Sequence, residues 1–306
     1  MKLAVFDQDK LGVVVADRVV DVTAAVDGRV PRGPDRMIGV IEQFATLRPM
    51  LESAAAAGAG VPLDAVKLGP PLRRPANIVA MAVNYLEGRT EAAAANAFQK
   101  SPGSIIGHGD TMVLPDAPAT IFEGEAELAV VIGKRATRVA AADALSHVFG
   151  YMNLIDGSAR GLGPPGTFFQ VKARDTFCPI GPYIVTADEV RDPQRLQIRL
   201  WVNGELKQDF NTSDMARSVA TCIAWASSVH TLEPGDILTT GTDHRGLSAF
   251  QDGDRVELEI EGLGRLGIGV RDELRRTWSR DTRAEHQAKG LQGQTPQLSG
   301  KYAEKR

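Results

Sequence analysis

Glu123-Gly-Glu125-Ala-Glu127-Leu-Ala-Val-Val-Ile-Gly133 decides how the rest of the chain is read. Its second half, Leu128 to Ile132, is rich in Val and Ile and reads as a buried strand. Residues two apart on a strand share a face, so Glu125 and Glu127 project together and Glu123 is placed to join them. Carboxylates that close repel, and each raises its neighbours' pKa unless a cation lies between them. Oxygen donors of this kind suit magnesium, manganese or calcium rather than zinc. Taken alone, the stretch also fits a solvated strand face with its acids pointing outward.

Further short β runs flank this strand. Asn203-Gly204 separates Leu196–Val202 from Glu205–Phe210, a strong hairpin signal. Glu233-Pro-Gly-Asp236 precedes a strand at Ile237–Thr240, and Asp252-Gly-Asp254 precedes Arg255–Ile260, where apolar and charged residues alternate. Between them the spacing predicts a helix with Ser213 as N-cap and an apolar stripe of Met215, Val219, Cys222, Ile223, Ala226 and Val229. Upstream, Leu3–Phe6, Val13–Val15 and Arg18–Val22 read as strands, and Asp35 to about Leu47 as a helix. The Ala/Gly-rich stretch Ala54–Gly60 and Pro70, Pro71 and Pro75 read as a connection. The expectation is an α+β protein with a large, mainly antiparallel β core: a small N-terminal unit over 1–72, a catalytic unit over 73–271, and a tail over 272–306. The tail is charged, with a helix through Trp278; it is expected to be either disordered or docked on a partner subunit.

Bulk properties narrow the partners. The 306 residues carry 35 basic and 38 acidic side chains, interspersed, for a formal net charge of -3. No basic block points to nucleic acid and no polybasic segment to an anionic membrane. The longest strongly apolar run, Ala126–Gly133, is too short to span a bilayer, and the first 23 residues do not read as a signal peptide. Two cysteines, Cys178 and Cys222, have neither metal-type nor redox-type spacing, which fits a reducing cytosol. A small-molecule partner is expected.

Asp156 ends a second apolar run, Tyr151–Ile155, where the chain is expected to leave its strand; alone it reads as a helix cap. Lys172, flanked by Val171 and Phe177, reads alone as a snorkelling surface residue. Two stretches fit G-x-G-x-x-G but not a dinucleotide site. Gly262–Gly267 leads into a strand, and Gly161–Gly166 has prolines where amide donors are needed. There is no G-x-S-x-G elbow, H-E-x-x-H or Walker loop.

In order and spacing these pieces resemble the fumarylacetoacetate hydrolase family. The matching residues are Asn84-Tyr85, Ser104–Gly107, Glu125–Lys134, Asp156–Arg160, Lys172–Phe177, Pro179–Pro182, Val202–Glu205, Leu232–Asp236 and Thr240-Gly241-Thr242. The resemblance implies a mixed β-roll, usually a homodimer, with Glu125, Glu127 and Asp156 holding Mg2+ or Mn2+. It implies 2-oxo or 2,4-dioxo acid substrates, with Lys172 as a catalytic group and Tyr85, Arg160, Gly241 and Thr242 near the substrate. The expected reaction is hydrolytic C–C cleavage of an acylpyruvate-like compound, of the sort met in aromatic catabolism. The alternative is an oxaloacetate-type decarboxylase or a keto–enol tautomerase, which needs enolate stabilisation but no activated water.

The sequence departs from the family where a lid histidine is common: that position is Gly88, while Glu91 remains as a candidate base. Of the five histidines, His108, His147, His230, His244 and His286, only His244 directly follows Thr240-Gly-Thr242. It is therefore a candidate replacement base, set against a role in ordering its own loop through Asp243 or a backbone carbonyl.

Overall fold

The computed structural model describes residues 1–164 and 167–303. Pro165 and Gly166 of the Gly161–Gly166 stretch, and residues 304–306 of the tail, lie outside the described residues. The acidic stretch forms a strand, Ile121–Ile132, and pairs antiparallel with Val148–Arg160. All of Ile121–Ile132 is buried because its two faces enter different cores. Leu128, Val130 and Ile132 pack into one, while Ala129 and Val131 pack into the other with the N-terminal helices and strands.

Around this pair the described residues form a twelve-stranded sheet. Cys178–Thr186 pairs with Val148–Arg160, and Lys2–Phe6 pairs with Cys178–Thr186, so the N-terminal strands Lys2–Phe6, Lys10–Val15 and Arg18–Asp21 extend the same sheet. On the other side, Ile237–Thr239 pairs antiparallel with Ile121–Ile132 and parallel with Ile78–Ala82. A five-stranded sheet contains the expected hairpin, Gln197–Val202 with Glu205–Asn211, and then Arg255–Ile260, Arg265–Asp272 and Thr111–Leu114. Asn203 and Gly204 both have positive φ, as the tight turn between right-twisted strands requires. Most pairings are antiparallel and helices are few, so the architecture is mixed α+β with a dominant β component.

Several elements differ from expectation. The first helical region is two helices, Arg36–Glu42 and Phe44–Ala57, interrupted at Gln43. The second absorbs Ala54–Ala57, because alanine favours helix, and the connection begins only at Gly58. The later helix starts at Val219 with Ser218 as N-cap, accepting from the Thr221 amide. Ser213 instead sits in a single 3-10 turn, Thr212–Asp214, capped by Asn211. Val229 ends the helix 68% exposed, outside the apolar stripe. The Asp156 strand does not end there but runs on to Arg160.

The tail docks on its own chain. Trp278 lies in a short strand, Thr277–Trp278, paired with Gln297–Ser299, and the tail helix is Arg283–Ala288. Thr282 caps that helix in a reciprocal box with Glu285. Among the described residues no helix is long and apolar enough to cross a membrane.

Candidate active site

Register assembles the site. Glu125 lies directly opposite Asp156 and Glu123 opposite Ser158, so Glu123, Glu125, Glu127, Asp156, Ser158 and Arg160 share one face of the strand pair. Between the acids stand Gly124, Ala126 and, across the ladder, Gly157. A Cβ on Gly124 would lie 2.3 Å from the Phe250 ring, and one on Gly157 2.9 Å from Phe177. These aromatic rings therefore fill the reverse face, and the acids' face is left to polar groups.

Carboxylate oxygens of Glu125, Glu127 and Asp156 lie within 4.8 Å of one another, and all three residues are buried. Lys172, on the one-turn helix Phe168–Lys172, is no surface residue: its side chain is 3% exposed. Its ammonium donates to Glu125 Oε1 and to Asp156 Oδ2, each at 2.5 Å. It lies 5.2 Å from the centre of the Phe98 ring, which stacks on Phe168. Lys100, fully buried, donates to Asp156 Oδ1 at 2.5 Å and to the Lys172 carbonyl at 2.6 Å. Arg160 Nε donates to Glu123 Oε2 at 2.9 Å, and another guanidinium nitrogen donates to Glu125. Ser158 also donates to Glu125, at 2.9 Å. Arg283, from the tail helix, completes the set by donating to Glu123 Oε1 at 2.9 Å. Four carboxylates thus face four cations.

The acids differ in proton affinity. Burial pushes Glu125 up, but chiefly the charges of Lys172 and Arg160 outweigh it and hold the group well below its usual value. Among the described residues Glu127 has no ion pair, and the Lys172 charge acts on it only weakly. Burial, then repulsion from Asp156 and Glu125, pushes it up to about 8. The Gly241 amide donates to its Oε2 at 2.8 Å, with Gly241 at φ +81°, a left-handed conformation that glycine adopts without strain. A hard dication suits this donor set: three buried carboxylates, one of them ionised reluctantly because of burial and its acidic neighbours.

The Thr240–Leu247 loop borders the cluster. Asn84 Nδ2 donates to the Thr240 carbonyl at 3.0 Å, and Gln208 Nε2 donates to Thr242 Oγ1 at 2.8 Å. The Tyr85 hydroxyl is buried, meets no hydrogen-bond partner of good geometry among the described residues, and is pushed up first by burial and then by the Glu127 charge. His244 Nδ1 lies 2.6 Å from Glu87 Oε1, which also accepts from the His244 amide at 3.0 Å. Burial alone would raise Glu87, but its bonds to His244 lower it below the usual carboxylate range. The His244 side chain therefore pairs with Glu87, rather than with Asp243 or a backbone carbonyl. Glu91 is exposed in the loop after Tyr85 and has no hydrogen bond or ion pair to the cluster among the described residues.

The structure thus brings together Glu125, Glu127, Asp156, Lys172, Arg160 and Gly241, with Tyr85, Thr242 and His244 nearby, and leaves Glu91 outside. Lys100, Gln208, Glu87 and Arg283 escaped the sequence reading, and Ser158, inside the Asp156–Arg160 stretch, was given no role. The first four contact the site across a long chain separation, and none stands in a pattern that marks it.

Residues 76–271 match the family described as fumarylacetoacetate (FAA) hydrolase C-terminal. The chain belongs to the fumarylacetoacetate hydrolase family. A maleylpyruvate hydrolase of Aquipseudomonas alcaligenes is 33% identical over 89% of this chain and 99% of its own length. An oxaloacetate tautomerase of Bacillus subtilis is 37% identical over 67% of this chain and 73% of its own. Among solved structures, maleylpyruvate hydrolase from Sphingobium in complex with manganese(II) ion and pyruvate is 39% identical, with a TM-score of 0.80. That likeness covers 89% of this chain and 99% of the other.

Proposed function

We propose that this chain is a divalent-metal-dependent hydrolase that cleaves a C–C bond in a 2,4-dioxo acid of the acylpyruvate type. The observation that carries the reading is the buried, charge-matched cluster around Glu125, Glu127 and Asp156. With all four acids ionised, the four cations balance them. A bound dication then leaves an excess of two positive charges, which matches a substrate carboxylate plus the enolate that develops on cleavage. When held by the three acids, Mg2+ or Mn2+ supplies Lewis-acid stabilisation of charge on the oxygens of a 2-oxo acid.

The chain's own groups divide the remaining work. Arg160, with its side chain 20% exposed, and the Thr242 hydroxyl bind the substrate carboxylate. Tyr85, whose hydroxyl is unpartnered among the described residues, donates to a substrate oxygen. Glu87 holds His244 by Nδ1, which leaves Nε2 to take a proton from water as that water attacks the distal carbonyl. The C–C bond then breaks, its electron pair passes into the pyruvate-side enolate, and the Lys172 ammonium stabilises the enolate oxygen. His244 returns the proton to the enolate carbon. This pairing supplies a base despite Gly88, which favours hydrolysis over a reaction needing only enolate stabilisation.

The reading also takes in a homodimer, a cytosolic location and a role in aromatic catabolism, as the family resemblance implies. Two free, buried cysteines fit a reducing compartment. Tautomerisation of oxaloacetate is the second reading, favoured by the Bacillus subtilis relative. Turnover of an unsaturated acylpyruvate and of oxaloacetate, each with Mn2+, separates the two. Release of pyruvate from the acylpyruvate is expected; rapid enol–keto exchange of oxaloacetate with no acylpyruvate cleavage would overturn the proposal.

A further inference from the structure

The tail lies beyond the matched family region, yet it is fastened firmly to the catalytic face. Arg276 is fully buried, pairs with Asp272 at 2.6 Å, and donates to the carbonyls of Ala117 and Pro115 at 2.8 Å each. Its guanidinium lies over the Phe122 and Trp278 rings. Trp278 Nε1 donates to the Thr120 carbonyl at 2.7 Å, and Arg280 grips both Asp254 oxygens at 2.7 Å. The Thr282–Glu285 box then starts the tail helix, and the Arg283 amide donates to the Leu247 carbonyl at 2.9 Å. These contacts aim the first side chain of that helix, Arg283, at Glu123.

Glu123 is fully buried between two guanidiniums. Arg160 binds it on one side and also reaches Glu125; Arg283 binds both of its oxygens from the other. A buried carboxylate with one cationic partner draws that partner strongly, because an unpaired charge there is costly. With Arg283 present, Glu123 is already neutralised, and Arg160 keeps charge to spare for Glu125 and an anion above it.

We propose that the C-terminal segment is a positioning element of the site: Arg283 neutralises Glu123 and so frees Arg160 to bind the anionic substrate. This rests on the functional reading above. It predicts effects of opposite sign, because removing one positive charge favours a cation and disfavours an anion. A residue that only braced the fold would weaken both.

The test is calorimetric titration of the full chain, first with Mn2+ and then, on Mn2+-saturated protein, with oxalate as a planar mimic of a pyruvate enolate. Arg283→Gln should bind Mn2+ at least as tightly as the parent and oxalate about tenfold more weakly, while Arg283→Lys should recover most of that loss. Because Arg283 acts through Glu123, the double variant Glu123→Gln, Arg283→Gln should regain oxalate affinity relative to Arg283→Gln alone. Lys289→Met, which removes a surface ion pair of the tail with Asp281 and none of the contacts that aim Arg283, should leave oxalate affinity near the parent value. The inference is overturned if Arg283→Gln weakens both ligands together, changes neither, or is matched by Lys289→Met, or if the double variant shows no recovery. Parent protein that binds neither Mn2+ nor oxalate would instead overturn the functional reading beneath it.

Discussion

Binding a dication at Glu125, Glu127 and Asp156 should expel a proton, and the proton should come from Glu127. Its carboxyl is pushed up to about 8 by burial and by two acidic neighbours, whereas Glu125 is held well below its usual value and is already ionised. At pH 7 a group of that pKa is about 90% protonated, so saturation with Mn2+ should release close to one proton. Apparent affinity should then weaken about tenfold per pH unit on going from pH 8 down to 6. Titrations in buffers of different ionisation heat measure the release directly, and Glu127→Gln should abolish it along with most of the affinity. The same shift fixes a stability trend in metal-free protein. The folded-state pKa of Glu127 lies above its usual 4.5, so its contribution is complete below that value and is lost as pH rises toward 8. The loss by pH 7 is roughly 3 kcal/mol. Mn2+ affinity that stays flat between pH 6 and 8, or equal proton release from Glu127→Gln, would refute this reasoning.

Removing Asp156 should act oppositely to removing Glu127. Both Lys100 and Lys172 lose a buried partner, so Asp156→Ala should lower stability by about 3–5 kcal/mol in denaturant unfolding, while metal-free Glu127→Gln should not fall below the parent. Lys172→Met should keep Mn2+ affinity and lower kcat by orders of magnitude; loss of substrate affinity alone would make Lys172 a binding group. His244→Asn should lower kcat at least about a hundredfold, and Glu87→Gln, which frees the imidazole from its partner, should lower kcat in the same direction by less. An unchanged kcat in both variants would remove the pair from catalysis.

Much of the site was legible because a strand has period two. Glu123, Glu125 and Glu127 share a face whatever surrounds them, and the structure keeps that arrangement. The position of Asp156 opposite Glu125 depends on pairing register, which local pattern does not set by itself. Lys172 misleads for a related reason: its apolar neighbours fit a snorkelling lysine as well as a buried one, and only the fold sets its helix over the acidic face. Ser213 and Ser218 both meet the N-cap rule, and the turn capped by Asn211 decides between them. Repulsion among the acids is legible from the strand pattern, but the two lysine partners of Asp156 come from elsewhere in the chain and are not. The Glu87–His244 pair and the docking of Arg283 join distant segments, and composition carries no trace of either.

Hydrolysis, as against tautomerisation or decarboxylation, is tested most directly by turnover of an acylpyruvate in water labelled with heavy oxygen. Mass analysis of both fragments after complete turnover with Mn2+ gives the answer. Attack of water on the distal carbonyl places one solvent oxygen in the new carboxylate of the acyl fragment. Beyond that, the pyruvate should carry only the label its ketone acquires by exchange with solvent, as set by a control with unlabelled pyruvate. An acyl carboxylate free of solvent oxygen, or substrate recovered uncleaved with only its enol–keto ratio changed, would contradict the account.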